Sequence, residues 1–254
     1  MTLLEAIAIA VAGFAAGGIN TIVGSGTLVT FPTLLAFGVP PVTANVSNNI
    51  GLVPGSVAGA IGYRAELRGQ GRRTLRLLSA SLLGGIAGAV LLLVLPEGAF
   101  EAIVPALIAV GLLLVVFQPR LSVWVAARTA ASDAPVGRDA RWIWPAVLVT
   151  GVYGGYFGAA QGVLLMGVLG IGLSQSLQHS NAVKNVLAAS VNAVAGLIFI
   201  AVADVDWRIV ALLAGGSVLG GVLGARVGRR LPQSALRAVI VLVGVVALAT
   251  FLLR

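Results

Sequence analysis

Lys184 is the one lysine of the chain. It stands inside the long apolar stretch 178–202, three residues after Asn181 and one before Asn185. A cation at membrane depth is costly and either pairs or faces a cavity. All eight acids (Glu5, Glu66, Glu97, Glu101, Asp133, Asp139, Asp204 and Asp206) fall in loops or near segment ends, so no mid-segment carboxylate offers itself as its partner. A bound anion fits that role; a neutral lysine, or one snorkelling to an interface, is the alternative. Asn181 and Asn185 are four apart and share a helix face, as do Asn45 and Asn49, with Asn48 beside them. Amide N–H groups coordinate an oxyanion without the desolvation cost of a full charge. Hydrogen bonding between helices is the equally open reading of these pairs.

Two glycine-rich breaks are the second feature. The first runs Gly17-Gly18-Ile19-Asn20-Thr21-Ile22-Val23-Gly24-Ser25-Gly26-Thr27, the second Gly154-Gly155-Tyr156-Phe157-Gly158-Ala159-Ala160-Gln161-Gly162. Glycine lets the backbone leave helical geometry and lets a ligand come close. A helix restarting at Thr27 or Val163 presents free N–H groups and a positive dipole end. Two such ends meeting near the midplane make an anion site, and close helix packing through small residues is the competing reading. Gly24-Ser25-Gly26 is not a phosphate loop, because no Gly-Lys-Ser/Thr follows. The single histidine, His179, the lack of metal-ligand spacing and the lack of a nucleophile elbow with a usable acid and histidine argue against an enzyme. No metal or cofactor is expected, and with no cysteine there is no thiol redox chemistry.

The elements that must position these residues are membrane helices. The 254 residues are 59% hydrophobic and 9% charged, too few charges to clothe a soluble domain. Apolar segments fall at 2–23, 27–38, 41–62, 76–95, 99–118, 143–158, 162–173, 178–202, 208–226 and 234–253. The fold class expected is an all-α polytopic membrane protein with about 8–10 membrane segments. Segments 27–38 and 162–173 are too short to span and each follows a glycine break, so each pair reads as a broken or re-entrant helix. The net charge of +8 comes from arginines in short loops, which is a topology signal and not a nucleic-acid footprint. The first segment lacks a basic leader and reads as a retained helix.

The chain repeats itself. A shift of 136 residues places Gly18 on Gly154, Gly26 on Gly162, Asn45 on Asn181, Asn49 on Asn185, Leu83-Gly84-Gly85 on Leu219-Gly220-Gly221 and Leu95-Pro96 on Leu231-Pro232. Residues 1–118 form the first repeat, 119–141 a linker that includes Ala131-Ser132-Asp133-Ala134-Pro135, and 142–254 the second repeat. Loop 64–76 carries Arg64, Arg68, Arg72, Arg73 and Arg76, whereas its counterpart carries Asp204 and Asp206. Loop 119–141 and the stretch 226–230, with Arg226, Arg229 and Arg230, are basic, whereas the turn at Pro96-Glu97-Gly98 is acidic. Equivalent loops of opposite charge belong on opposite faces, basic ones in the cytoplasm. Five segments per half produce that result, so an inverted repeat is expected, with both termini outside and a parallel four-plus-four arrangement as the alternative.

Together these stretches resemble the sulfite exporter TauE/SafE family, also called the 4-toluene sulfonate uptake permease family. The resemblance rests on Ala15 to Pro32, on Leu35 to Asn49, on Gly151 to Gly158 and on Asn181-Ala182-Val183-Lys184-Asn185-Val186-Leu187. It implies transport of sulfite, thiosulfate or organic sulfonates. Two positions depart from it: Asn20 stands where the family often has an acid, and Asn48-Asn49 where it often has a lysine. The expectation is a cell-membrane transporter of small anions working by alternating access around a midplane site. The binding residues expected are Asn20, Gly24, Ser25, Gly26, Thr27, Asn45, Asn48, Asn49, Gly158, Gln161, Gly162, Asn181, Lys184 and Asn185. The partners expected are the small anionic substrate, H+ or Na+ as the candidate coupling ion, and lipid, with no nucleic acid. An anion channel and a non-transporting membrane scaffold or sensor are the alternatives.

Overall fold

A computed structural model describes residues 1–130, 139–173, 175–228 and 233–252. The run Ala131 to Pro135, Arg138, Arg229, Arg230 and Pro232 lie outside the described residues. The described residues form ten helices in order: α1 (Leu3–Ile22), α2 (Thr27–Ala36), α3 (Pro41–Gly62), α4 (Gly71–Val94), α5 (Glu97–Ala130), α6 (Ile143–Tyr156), α7 (Gln161–Gly172), α8 (Leu177–Val202), α9 (Trp207–Val227) and α10 (Gln233–Leu252). The described residues contain no strand. This is an all-α polytopic membrane protein. Among the described residues, five helical stretches are both long and apolar enough to span a bilayer: Leu3–Ile22, Gly71–Val94, Gly98–Arg120, Leu177–Val202 and Trp207–Val227. α3 is as long, but carries buried Asn45, Ser47, Asn48, Asn49 and Ser56.

The helix starts obey local chemistry. Thr2 and Glu5 form a capping box on α1. Pro41 opens α3 at a position where no N–H is required. Ser176 caps α8, and Asp206 caps α9 by accepting from the N–H groups of Arg208 and Ile209. Two boundaries differ from the sequence expectation. α4 begins at Gly71, so Arg72, Arg73 and Arg76 ride on its first turns instead of in a loop. α5 does not stop at 118 but continues through Pro119 to Ala130. The residues after Pro119 are mostly good helix formers with no glycine among them, and the helix continues through the interior proline.

Starts recur at a fixed spacing. α3, α4 and α5 begin 136 residues before α8, α9 and α10, whereas α2 and α7 begin 134 apart because α7 is two residues longer. The halves pack reciprocally: α1 lies on α9 and α6 on α4; α3 on α9 and α8 on α4; α2 on α10 and α7 on α5. Small residues make these contacts close. Gly13 and Gly17 of α1 meet the backbone at Leu213 and Ser217, and Gly84 and Gly88 of α4 meet it at Leu148 and Val152. Gly51 and Gly62 of α3 meet Leu213 and Ala225 in the same ascending order. α1, α3 and α9 therefore run one way. Gly196 of α8 instead faces Asn49, while Ala182 packs with Tyr63, so α8 runs against α3. α4 runs with α6 by the order of its glycine contacts. It also runs with α8: Leu77 and Ala80 cluster with Val183 and Leu187, and Gly85 meets Val191.

Candidate functional site

The two breaks use one device. At the end of α1, the N–H groups of Val23 and Gly24 both donate to the carbonyl of Ile19, at 2.7 and 2.9 Å. At the end of α6, those of Phe157 and Gly158 both donate to the carbonyl of Tyr153, at 3.0 and 3.1 Å. Gly24 and Gly158 then turn the chain with φ of 91° and 75°, the left-handed region in which glycine carries no penalty. The structural counterpart of Gly24 is thus Gly158, and the sequence register that pairs Gly26 with Gly162 slips by two at the breaks.

Each break leaves helix carbonyls pointing into protein, and the polar residues of α3 and α8 satisfy them. Lys184 Nζ donates to the carbonyl of Asn20 at 3.0 Å and of Thr21 at 3.4 Å. Asn181 and Asn185 donate from their amides to the Thr21 carbonyl, each at 3.3 Å. The lysine amine and two amides therefore cap the carbonyl end of α1. On the other side Asn45 donates to the carbonyl of Tyr156 at 3.0 Å. The Asn pair and lysine of α8 thus act on α1, and the matching asparagine of α3 acts on α6.

The remaining first-half residues knit the restart of α2. The N–H of Gly26 donates to Asn20 Oδ1 at 2.7 Å. Asn48 accepts from the Thr30 hydroxyl and donates to the Thr27 hydroxyl at 3.3 Å. The breaks themselves touch, because the N–H of Gly162 donates to the Gly24 carbonyl at 3.0 Å. A Cβ at Gly162 would stand 2.8 Å from that carbonyl oxygen, so the crossing admits only glycine there. Beside it Ser25 is fully buried with its hydroxyl unpartnered, and Gln161 is 3% exposed with its amide Nε2 unpartnered and its side chain against Gly154. The Asn49 Oδ1 and Asn181 Oδ1 are also buried without partners.

Thirteen of the fourteen residues singled out in the sequence therefore form three groups, and Asn49 stands apart from them, opposite Gly196 of α8. Gly24, Ser25, Gly26, Thr27, Asn48, Gly158, Gln161 and Gly162 surround the crossing or shape the breaks that make it. Asn20, Asn181, Lys184 and Asn185 gather at the end of α1, and Asn45 at the end of α6. The Asn pairs are not brought together. On the register that sets Gly196 opposite Asn49, Asn185 lies roughly 16 Å along α8 from that point. The sequence reading missed an aromatic cluster over the end of α6, where Phe31, Phe100, Tyr156 and Phe157 pack edge to face with centroids 5.1–6.4 Å apart. Its only sequence signal was the pair Tyr156-Phe157 inside a glycine break. His179 pairs its Nδ1 with the Ser176 hydroxyl at 2.7 Å and belongs to the α8 cap. Among the described residues no cluster of His, Cys, Asp or Glu is arranged to hold a metal.

Comparisons with known proteins agree with this architecture. The chain is 25% identical over 238 residues to a "Probable membrane transporter protein" of Haemophilus influenzae, covering 91% of the chain and 88% of that protein. It is 26% identical over 251 residues to one of Sinorhizobium sp., covering 96% and 90%. It is 26% identical over 247 residues to the "Probable membrane transporter protein YfcA" of Escherichia coli, covering 93% and 86%. No solved structure matches the chain. The sequence pattern described as "Sulfite exporter TauE/SafE" matches residues 9–251, and the chain belongs to that family of membrane transporters.

Proposed function

We propose that this transporter carries small anions, of the sulfur oxyanion or organosulfonate type, across the cell membrane by alternating access around the crossing of the two breaks. The observation that carries the reading is the crossing itself. Two restarted helices bring their positive ends together, next to a buried hydroxyl at Ser25 and a buried amide N–H at Gln161 that have no protein partner. An oxyanion supplies acceptors for both. Asn48, Gly26 and Thr27 flank the crossing in the first half, and Asn49 of α3 adds an amide to the pathway in this reading. Lys184 adds positive charge from the end of α1, without contacting the substrate in this closed arrangement.

The two halves act as inverted repeats in this reading. What supports inversion is the antiparallel course of α3 and α8, with α1 and α9 following α3 and α4 and α6 following α8. Parting of the Gly24–Gly162 contact toward one side, then the other, exposes the site alternately. The aromatic cluster of Phe31, Phe100, Tyr156 and Phe157 closes the side on which α5 begins.

Purified protein in proteoliposomes tests the reading. Uptake of labelled thiosulfate, sulfite and sulfoacetate should saturate with concentration and show counterflow. Ohmic conductance without saturation would establish a channel. No flux of any of the three, from protein that a thermal-shift screen shows to be folded, would leave a scaffold or sensor.

A further inference from the structure

The structure assigns a binding site for the phosphate of an anionic phospholipid to Arg72 and Arg76 at the start of α4. A cavity of about 500 Å³ there is lined by Gly69, Gln70, Arg72, Arg73, Arg76 and Asp139. Arg73 is fully engaged: its Nη2 lies 2.8 Å from Asp139 Oδ1, and its Nη1 donates to Gln70 Oε1 at 3.0 Å and to Gln175 Oε1 at 3.1 Å. Arg76 only approaches the same carboxylate, at 4.0 Å, and Arg72 forms no ion pair among the described residues. Three arginines thus face one carboxylate, which leaves two positive charges in an open cavity. Guanidinium groups one turn apart match the oxygens of a phosphate.

What makes the ligand a lipid is the surface below. Residues spaced three and four apart on a helix form one stripe. Arg72 and Arg76 continue along that stripe into Ser79, Leu83, Ile86 and Val90, all exposed, the last three at 53%, 40% and 45%. Trp144 donates its indole N–H to Ser79 Oγ at 3.2 Å, and Trp142 beside it is exposed. Indole rings of this kind mark the membrane–water boundary. The arginines therefore stand at headgroup level, with an apolar track for acyl chains running from them along α4.

The test follows thermal unfolding of the full chain in phosphatidylcholine micelles titrated with phosphatidylglycerol, and separately with soluble glycerol 3-phosphate. Phosphatidylglycerol should raise Tm saturably. Its apparent affinity should fall about tenfold or more in Arg72→Gln/Arg76→Gln. It should fall less in Arg72→Lys/Arg76→Lys, which keep the charge but lose the planar fork, and persist in Arg64→Gln/Arg68→Gln, which change the adjacent basic cavity. Equal loss in the Arg64/Arg68 variant would show a diffuse charge effect and overturn the site. So would an unchanged response in the Arg72/Arg76 variant. A Tm rise with glycerol 3-phosphate that vanishes in Arg72→Gln/Arg76→Gln would assign the cavity to free phosphate and overturn the lipid.

Discussion

Lys184 Nζ donates to the backbone carbonyl of Asn20 across 164 positions of sequence, at 3.0 Å, with its side chain wholly buried. Among the described residues no carboxylate comes within ion-pair distance of it. The amine therefore serves the carbonyl end of α1, where the break at Gly24 strips the last carbonyls of their helical donors. This links a charge on the second half to the conformation of the first.

Lys184→Met should remove that cap. The Asn20 carbonyl then lacks a partner, and the loss should be about 1–3 kcal/mol of stability. The Thr21 carbonyl keeps Asn181 and Asn185, which bounds the damage. If the lysine field also favours anions at the crossing, as the proposed function requires, the half-saturation constant should rise more for divalent than for monovalent substrates. Lys184→Arg should restore charge but overpack a fully buried site, at a cost of about 1–3 kcal/mol. A lower Tm with an unaltered half-saturation constant in Lys184→Met would confine the lysine to capping.

Gly24→Ala and Gly38→Ala separate conformational cost from collision. Both glycines have positive φ, 91° and 78°, so each alanine should cost about 1–2 kcal/mol for the left-handed backbone. A Cβ at Gly38 meets nothing within 4 Å, whereas at Gly24 it runs into the backbone of Gly162. Gly24→Ala should therefore add an overpacking cost of about 1–3 kcal/mol and stall transport by wedging the crossing. Equal Tm losses in the two variants would mean that the crossing yields easily.

The outcome at these residues shows what a sequence carries. The breaks and most helix starts are legible because proline and glycine act locally, whereas the caps at Ser176 and Asp206 and the early start of α4 at Gly71 are not. The donors at Asn45, Asn181, Lys184 and Asn185 were legible as polar groups in apolar stretches, but their acceptors were not. Those acceptors are main-chain carbonyls of Asn20, Thr21 and Tyr156, which every sequence possesses and none displays. The two-residue slip between Gly26–Gly162 and Gly24–Gly158 arose because an ungapped comparison cannot see that α7 is longer than α2. The extra helix beyond Pro119 was hidden by reading a proline as a stop.

Asn45→Ala and Asn49→Ala should differ in kind, though the two residues share a face of α3. Asn45 holds the Tyr156 carbonyl, and its loss should cost about 1–3 kcal/mol. The Asn49 Oδ1 has no partner, so Asn49→Ala should cost less than about 1 kcal/mol. If its amide serves the anion, that variant should raise the half-saturation constant about tenfold or more while Tm stays near wild type. A large Tm loss with unaltered transport in Asn49→Ala would make it a packing residue.

The inverted arrangement proposed above makes a prediction about sidedness that the absence of cysteine keeps clean. Ala65 lies between α3 and α4 and Asp204 between α8 and α9, both exposed. Those connections are equivalent at the spacing of 136, yet one is rich in arginine and the other in aspartate. Because α3 and α8 run antiparallel, their C-terminal ends, and hence the two connections, should emerge on opposite faces. Positive charge should hold the Ala65 connection in the cytoplasm. In intact cells a membrane-impermeant maleimide should label Asp204→Cys but reach Ala65→Cys only after permeabilisation. Labelling of both from outside, in variants that retain transport, would remove inversion and with it the alternating exposure of the crossing.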